Sequence, residues 1–181
     1  AWTATIDACL DVARAAGARR AVLAFGRTSE RAAHGLYPEL AANAAVLMGD
    51  HVGYALDSAA ARGMDVVLAG QFAKFCKVAG GHYATHVRDS SLDVAVVKRL
   101  LEESGFPPEA AREALSANTA REICDRLLRE GDRGAFLRLA EEVARRASGR
   151  VEGKVAVEAV LFGYRGELLA RASAPRKEES A

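Results

Sequence analysis

The sequence predicts an α/β fold: a mostly parallel sheet with flanking helices, followed by a helical segment and a C-terminal β-hairpin. Short continuous apolar runs have the length and composition of buried strands, and they lie at residues 21–25, 45–48 and 66–69. Amphipathic stretches with helical spacing separate these runs. The resulting order, α-β-α-β-α-β-α, favours parallel strands with helices packed on the sheet faces.

The helices of the first half follow from spacing and end signals. Residues 5–16 place apolar side chains on one face, and Gly17 ends the predicted helix. The next helix should begin near Ser29, before Pro38 interrupts the pattern. Asp50 is a suitable N-cap for a further helix that ends near residue 62.

The second half is helical and then extended. The predicted helices are residues 92–103, residues 108–116, one that Asn118 or Thr119 caps and that ends near residue 130, and one that Asp132 would cap. Residues 154–162 and 167–172 are predicted strands, and Gly163-Tyr164-Arg165-Gly166 between them indicates a hairpin.

These patterns divide the chain into three parts. We expect residues 1–130 to form an α/β ligand-binding domain and residues 131–173 to form a helix plus β-hairpin packed on it. Residues 174–181 are polar and contain a proline, so we expect a disordered tail.

Composition excludes several classes of protein. The formal net charge is +1 and no long basic stripe accompanies it, which argues against nucleic-acid binding. No apolar run approaches the ~20 residues that span a bilayer, and no signal peptide opens the sequence. The three widely spaced cysteines form neither a metal motif nor a disulfide framework. We expect a cytoplasmic protein.

Polar side chains concentrate between residues 64 and 93. A short apolar strand ending at Gly70 precedes Lys74 and Lys77, which should share one helix face. A glycine pair then leads into the polar residues His82, Tyr83, Thr85, His86, Arg88 and Asp89. A strand, a basic helical turn and a polar loop in this order predict a site for an anionic ligand at the sheet edge.

The three predicted strands are each followed by glycine, at Gly26, Gly49 and Gly70. In a parallel sheet these turns lie along one edge, and glycine permits close approach of a ligand to the backbone. Short turns between strands and helices also need glycine without any ligand, so both interpretations stay open.

Familiar catalytic motifs are absent from the sequence. It contains no Gly-x-Gly-x-x-Gly after a strand, no Gly-Lys-Ser/Thr and no Gly-x-Ser-x-Gly. His82 and His86 are four residues apart, but the preceding glycine pair argues against a regular helix there and no third ligand stands at metal spacing. No protein-held metal is predicted.

Three stretches together resemble a known family. Lys-x-x-Lys-x-Ala-x-Gly from Lys74, followed by Thr85-His86 and Arg-x-Ser from Arg88, is similar to the CbiD family, the cobalt-precorrin-5B C1-methyltransferases of anaerobic cobalamin biosynthesis. Residues 48–56 and the loop at residues 26–30 resemble the same family. The similarity runs from about Ile6 to about Leu128, and more loosely to the end. Family members are longer, so we expect the C-terminal part of such an enzyme.

The resemblance implies transfer of a methyl group from S-adenosylmethionine to C1 of cobalt-precorrin-5B, with cobalt present only within the substrate. The implied partners are the absent N-terminal half of the enzyme and, as a possibility, a second copy of the chain. His86 is the catalytic candidate, as a proton acceptor. The candidates for donor binding are Gly26, Ser29, Glu30, Gly49, Asp50 and Gly70. The candidates for binding substrate carboxylates are Lys74, Lys77, Thr85 and Arg88, with Arg27 as a further cation.

The sequence also permits purely structural roles for these residues and two other functions. Asp50, Ser29 and Glu30 stand where helix caps and first-turn acids are expected, and lysines on a helix usually face solvent. One alternative function is a nucleotide- or phosphate-binding enzyme of another class, with the three glycines cradling phosphates. Another is a non-catalytic assembly domain whose helical half forms an interface.

Overall fold

The computed structural model describes residues 1–86, 94–131 and 133–178. The strands within these ranges are β1 (Arg20–Ala24), β2 (Ala45–Leu47), β3 (Asp65–Gln71), β4 (Val157–Phe162) and β5 (Leu168–Ala174). The helices are α1 (Trp2–Ala15), α2 (Arg27–Leu36), α3 (Pro38–Ala44), α4 (Val52–Ala61), α5 (Phe72–Ala79), α6 (Val94–Glu103), α7 (Pro108–Leu115), α8 (Ala120–Arg129) and α9 (Gly134–Arg150).

The strands form one mixed sheet in the order β2-β1-β3-β4-β5. The first four strands are parallel, and β5 returns antiparallel to β4 through the predicted hairpin. The α/β prediction with a mostly parallel sheet is therefore confirmed. Because β4 pairs with β3, the hairpin extends this sheet. The division of the chain into domains at about residue 130 stays a prediction.

Two apolar cores cover the two faces of the sheet. On one face Ala33 of α2 and Ala41 of α3 pack against alternate residues of β1 and β3. On the other face α1, α4, α5 and the long α9 pack against the side chains that point the opposite way, such as Leu23 and Leu68. This alternation of faces is what strands with a period of two produce when helices cover both sides.

Pro38 interrupts the helical pattern as predicted, since α2 ends at Leu36, and it also opens α3, where a proline at the first helical position loses no hydrogen bond. The prediction that Gly70 follows β3 was wrong, because Gly70 lies within the strand, paired with Leu161. A Cβ atom on Gly70 would lie 2.6 Å from Cδ2 of Phe25 and 2.7 Å from Cε1 of Phe75, so this glycine makes room for an aromatic pair.

The C-terminal segment that we expected to be disordered is partly attached to the sheet. β5 continues to Ala174, and Nε of Arg176 donates to Oδ1 of Asp65 at 2.8 Å. The main-chain nitrogen of Lys177 donates to the carbonyl of Gly153 at 3.0 Å. The predicted cap Asp132 lies outside the described residues. Within the described ranges, no helix combines the length and apolar character that crossing a membrane requires.

Candidate functional site

The carboxyl ends of β1, β2 and β3 meet at one edge of the sheet, because the three strands are parallel. The chain leaves β1 towards β2 over one face and leaves β3 towards β4 over the other. Because the connections from these two neighbouring strands leave over opposite faces of the sheet, a crevice forms at the carboxyl ends of the strands, where open α/β sheets bind ligands. The turns after β1 and β2 begin at this edge, and α5 starts there directly from β3.

Four polar side chains converge beside this edge, and we call Asp50, Lys74, Lys77 and Thr85 the Asp50 cluster. The ammonium of Lys74 donates to Oδ1 of Asp50, and the hydroxyl of Thr85 donates to the same oxygen at 2.9 Å. The main-chain nitrogen of Thr85 also donates to the carbonyl of Asp50 at 3.1 Å. The turn after β2 and the segment after α5 are thus joined by both main-chain and side-chain bonds.

Both lysines reach the same main-chain oxygen. Nζ of Lys74 lies 3.1 Å and Nζ of Lys77 lies 3.0 Å from the carbonyl of Thr85. The two residues are three apart on α5, which places them on one helix face as the sequence predicted. Lys77 is 6% exposed and Thr85 is fully buried, whereas the Lys74 and Asp50 side chains are about 30% exposed. Ligands can therefore reach the Lys74–Asp50 pair more readily than the Lys77–Thr85 contact.

Hydrogen bonding keeps Asp50 ionised. Partial burial alone would raise the pKa of this carboxyl, but the hydrogen bonds from Lys74 and Thr85 outweigh burial. The positive charge of Lys74 and the proximity of His86 act in the same direction, and the net effect lowers the pKa of Asp50 below its usual value. The cluster thus holds the ionised carboxylate of Asp50 beside the side-chain nitrogens of Lys74 and Lys77.

Asp50 does not cap α4, so that interpretation was wrong. The N-cap of α4 is His51, which makes no side-chain capping bond. The Asp50 carboxylate is instead committed to Lys74 and Thr85, which come from a different part of the chain.

His86 lies on the wall of a cavity of about 280 Å³ beside the Asp50 cluster. The residues that line this cavity are Trp2, Gly49, Asp50, His51, Ala84 and His86. Sequence reasoning missed Trp2 and His51. His51 adjoins Asp50 in one of the stretches that carried the resemblance, so that stretch could have drawn attention to it. No local pattern marks Trp2, because packing of α1 brings it to the cavity.

The loop that carries His86 is held at its base by Tyr83. The carbonyl of Tyr83 accepts from the main-chain nitrogen of Gly53 at 3.0 Å, and its hydroxyl donates to the carbonyl of Arg146 at 3.1 Å. The guanidinium of Arg150 lies 4.7 Å from the centre of the Tyr83 ring and pairs with Asp57 at 2.7 Å. α4 and α9 therefore support the loop from below.

A second group of candidates lies at the start of α2, on the other face of the sheet. The hydroxyl of Ser29 donates to the carbonyl of Gly26 at 2.9 Å and accepts from its main-chain nitrogen at 3.2 Å. Ser29 is 2% exposed, and Glu30 follows it in the first turn. Ser29 thus closes the helix start, which matches the structural interpretation left open above, and Arg27 opens the same helix.

The structure brings together only part of the predicted site. The residues that it gathers are Gly49, Asp50, Lys74, Lys77, Thr85 and His86. Gly26, Ser29 and Glu30 stand apart at α2, and Gly70 is packed against phenylalanine side chains. Arg88 lies outside the described residues.

A metal site and a nucleophilic cysteine both find little support in the described residues. Across the described ranges, no three His, Cys, Asp or Glu side chains converge as a metal site would require. Burial raises the pKa of Cys124 to about 12 and raises that of Cys76 still further, so both remain protonated thiols and poor nucleophiles.

Residues 84–173 match the family model described as "CbiD, C-terminal domain". The cobalt-precorrin-5B C(1)-methyltransferase of Geobacter sulfurreducens is 40% identical over 172 residues, which cover 93% of this chain and 47% of that protein. The protein of the same name from Geobacter metallireducens is 40% identical over 179 residues, covering 93% of this chain and 48% of its own length. The chain spans about half the length of these relatives. No solved structure matches it.

Proposed function

The chain belongs to the CbiD family, and on that premise we propose that it forms part of a cobalt-precorrin-5B C(1)-methyltransferase that uses S-adenosylmethionine. The proposal covers the reaction, the methyl donor and the substrate. We propose further that the region of the relatives that this chain does not match supplies the rest of the site and is its natural partner.

The observation that carries the proposal is the Asp50 cluster. It lies at the carboxyl ends of the strands, where parallel sheets whose connections switch faces bind ligands. Its four residues come from two of the sequence stretches that carried the resemblance, residues 48–56 and residues 74–86. Their main-chain and side-chain bonds make one unit from segments that are separated in the sequence.

The members of the cluster would act in different ways. The partly exposed side-chain nitrogen of Lys74 would bind an acetate or propionate carboxylate of the corrinoid precursor, in exchange for part of its contact with Asp50. Lys77 and Thr85 are buried, so they would position the loop that carries His86.

His86 would accept the proton that the macrocycle releases as its bonding rearranges, since it directly follows Thr85 and is close enough to the Asp50 carboxylate to lower its pKa. S-adenosylmethionine supplies a methyl group that is already activated by its positive sulfur. The chain therefore contributes mainly orientation of the acceptor carbon and exclusion of water.

Calorimetric titration with S-adenosylhomocysteine tests the donor part of this proposal, with ATP and NAD as controls. Selective binding of S-adenosylhomocysteine would support a donor site within these residues. Selective binding of ATP or NAD would contradict it and favour a nucleotide-binding enzyme of another class. A stable oligomer that binds none of the three would favour an assembly domain.

A fusion of this chain to the region of a relative that it does not match tests the proposed catalytic role of His86. We expect His86→Ala to reduce methyl transfer by about a hundredfold or more, as is typical when a general base is lost. His34→Ala, on the exposed surface of α2, is the matched control and should leave the rate unchanged. A wild-type rate in the His86 variant would contradict the proton-acceptor role.

A further inference from the structure

We propose that the cavity lined by Trp2, Gly49, Asp50, His51, Ala84 and His86 binds a planar nitrogen heterocycle, namely the purine base of the methyl donor. We call it the ring-lined cavity. Its identification with the donor rests on the function proposed above. The preference for a planar heterocycle rests on the walls of the cavity alone.

The first observation is the nature of the walls. The indole of Trp2 and the imidazole of His51 form a tilted pair, with ring centres 6.1 Å apart and planes inclined by 32°. Trp2 is 49% exposed, so a large part of the indole remains uncovered. His86 is also one of the lining residues. Flat aromatic walls of this kind favour ligands that stack, and every nucleobase presents such a face.

The second observation is the backbone of Gly49. It has a φ of +58°, a conformation that glycine adopts readily. A Cβ atom at this position would lie 3.4 Å from the Trp2 ring. That distance is an ordinary van der Waals contact, so the positive φ is what favours glycine here, and the turn after β2 packs directly against the indole.

The third observation is an acceptor at the polar end of the cavity. Oδ1 of Asp50 accepts the bonds from Lys74 and Thr85, while Oδ2 accepts none from the described residues. Asp50 is also one of the lining residues. A carboxylate with one uncommitted oxygen suits the N–H groups at the edge of an amino-substituted heterocycle.

The volume of the cavity limits the ligand. At about 280 Å³ it is close to the lower limit of ~300 Å³ for small-molecule pockets. A base fits such a space, whereas a tetrapyrrole macrocycle does not.

Trp2 is held at the cavity by contacts between α1 and α4. Nε of Arg62 donates to Oδ1 of Asp11 at 2.7 Å, and the hydroxyls of Tyr54 and Ser58 both donate to Asp7. The buried side chains Ile6, Leu10 and Ala13 fix the other face of α1. The indole therefore belongs to a helix whose position is fixed by polar contacts with α4 and by its buried apolar face.

Trp2 is the only tryptophan in the chain, so its fluorescence reports on this cavity directly. We expect adenosine and S-adenosylhomocysteine to quench the emission of Trp2 in a saturable manner, and homocysteine to leave it unchanged. Excitation at the red edge of the indole band avoids absorption by the purine.

Calorimetry with substituted chains separates stacking from other contributions. Trp2→Leu should weaken adenosine binding about tenfold, the usual effect of losing one stacking partner, and Trp2→Phe should restore most of it. His51→Ala should also weaken binding, whereas His34→Ala on α2 should not. Because Trp2 is half-exposed, these substitutions are not expected to prevent folding.

The outcomes distinguish this inference from the proposed function. Binding of S-adenosylhomocysteine that leaves Trp2 emission and the Trp2→Leu affinity unchanged would overturn the inference and leave the proposed function standing. Quenching by homocysteine but not by adenosine would also overturn it. Binding of adenosine without S-adenosylhomocysteine would support the cavity and contradict the donor site. Failure of both ligands to bind would overturn the inference and the donor site within these residues, while methyl transfer by the chain joined to the unmatched region of a relative would still test the proposed reaction.

Discussion

Lys77 and Thr85 meet in the interior of the protein, where Nζ of the lysine lies 3.0 Å from the carbonyl of the threonine. An ammonium group removed from water must be hydrogen-bonded, and a buried carbonyl must find a donor. The bond from Lys77 to Thr85 meets part of both requirements. Lys74 shares the same carbonyl and links it to the carboxylate of Asp50. This contact fixes the segment that leads to His86.

Lys77→Met is expected to loosen this segment. The substitution removes the bond from Nζ to the Thr85 carbonyl, and a buried hydrogen bond of this kind contributes about 0.5–1.5 kcal/mol, so the free energy of unfolding should fall by an amount in that range. The exchange of the Thr85 amide with solvent should also accelerate, because this amide is bonded to Asp50. Urea denaturation and hydrogen exchange measure the two effects.

Lys98→Met is the matched control for that substitution. Lys98 is exposed on α6 and lies 3.9 Å from Glu102, so its replacement should change stability by less than about 0.5 kcal/mol. Equal stabilities of the two variants, with unchanged protection of the Thr85 amide, would mean that Lys77 does not hold the loop.

Thr85→Val should raise the pKa of Asp50 towards its usual value. The variant keeps the shape of the side chain but loses the 2.9 Å hydrogen bond to Oδ1, which is one of the bonds that lower this pKa. The free energy of unfolding should fall by about 1 kcal/mol. A carbon-detected titration of the carboxyl group follows the pKa, and Thr5→Val serves as a control at an exposed hydroxyl. An unchanged Asp50 titration would contradict the assigned bond.

Asp50→Asn should make the protein less stable at neutral pH but not at strongly acidic pH. The pKa of Asp50 is lower in the folded protein than its ordinary value of 3.8, so its contribution is fully present above that value. It is lost as the pH falls through the lowered pKa of the folded state. The ion pair is partly exposed, and we expect at most about 1 kcal/mol at neutral pH.

Denaturation curves of the wild type and the Asp50→Asn variant across this pH range measure the difference. Asp125→Asn, at an exposed position on α8, controls for the loss of one negative charge. A difference between wild type and variant that grows as the pH falls would have the wrong sign and would refute the assignment.

Gly70→Ala is expected to destabilise the sheet. The added methyl group would meet the rings of Phe25 and Phe75 at 2.6–2.9 Å, and overpacking of this kind costs about 1–3 kcal/mol. Gly35→Ala tests the same change where nothing lies within 4 Å of the new atom, near the end of α2. There alanine should stabilise by up to about 1 kcal/mol. Thermal unfolding of the pair should therefore give shifts of opposite sign.

Periodicity in the sequence was enough to predict the strands, their parallel arrangement and the shared face of Lys74 and Lys77. Residue type also predicted Asn118 or Thr119 as the cap of α8, and the structure has Thr119, whose hydroxyl accepts from the main-chain nitrogen of Glu122 at 3.1 Å. These features depend on residues that are close in sequence. Local signals were therefore sufficient for them.

The features of the site that the sequence did not predict depend on contacts between distant segments. Nothing near Trp2 indicates that α1 delivers its indole to the turn after β2. A strand-end glycine and a glycine that accommodates two phenylalanines look alike in the sequence, which explains the error at Gly70. Asp50 has the residue type of a helix cap, but α5 and the following loop engage its carboxylate.

The bonds from α5 to the Thr85 carbonyl close two nested rings of fixed length. Thr85 lies eight residues beyond Lys77 and eleven beyond Lys74, and the chain must turn back within that span to meet both ammonium groups. An insertion or deletion between them would shift the carbonyl away from its donors, and one within α5 would rotate the lysines off their common face. In this stretch the number of residues is therefore as much a determinant of the site as their identity.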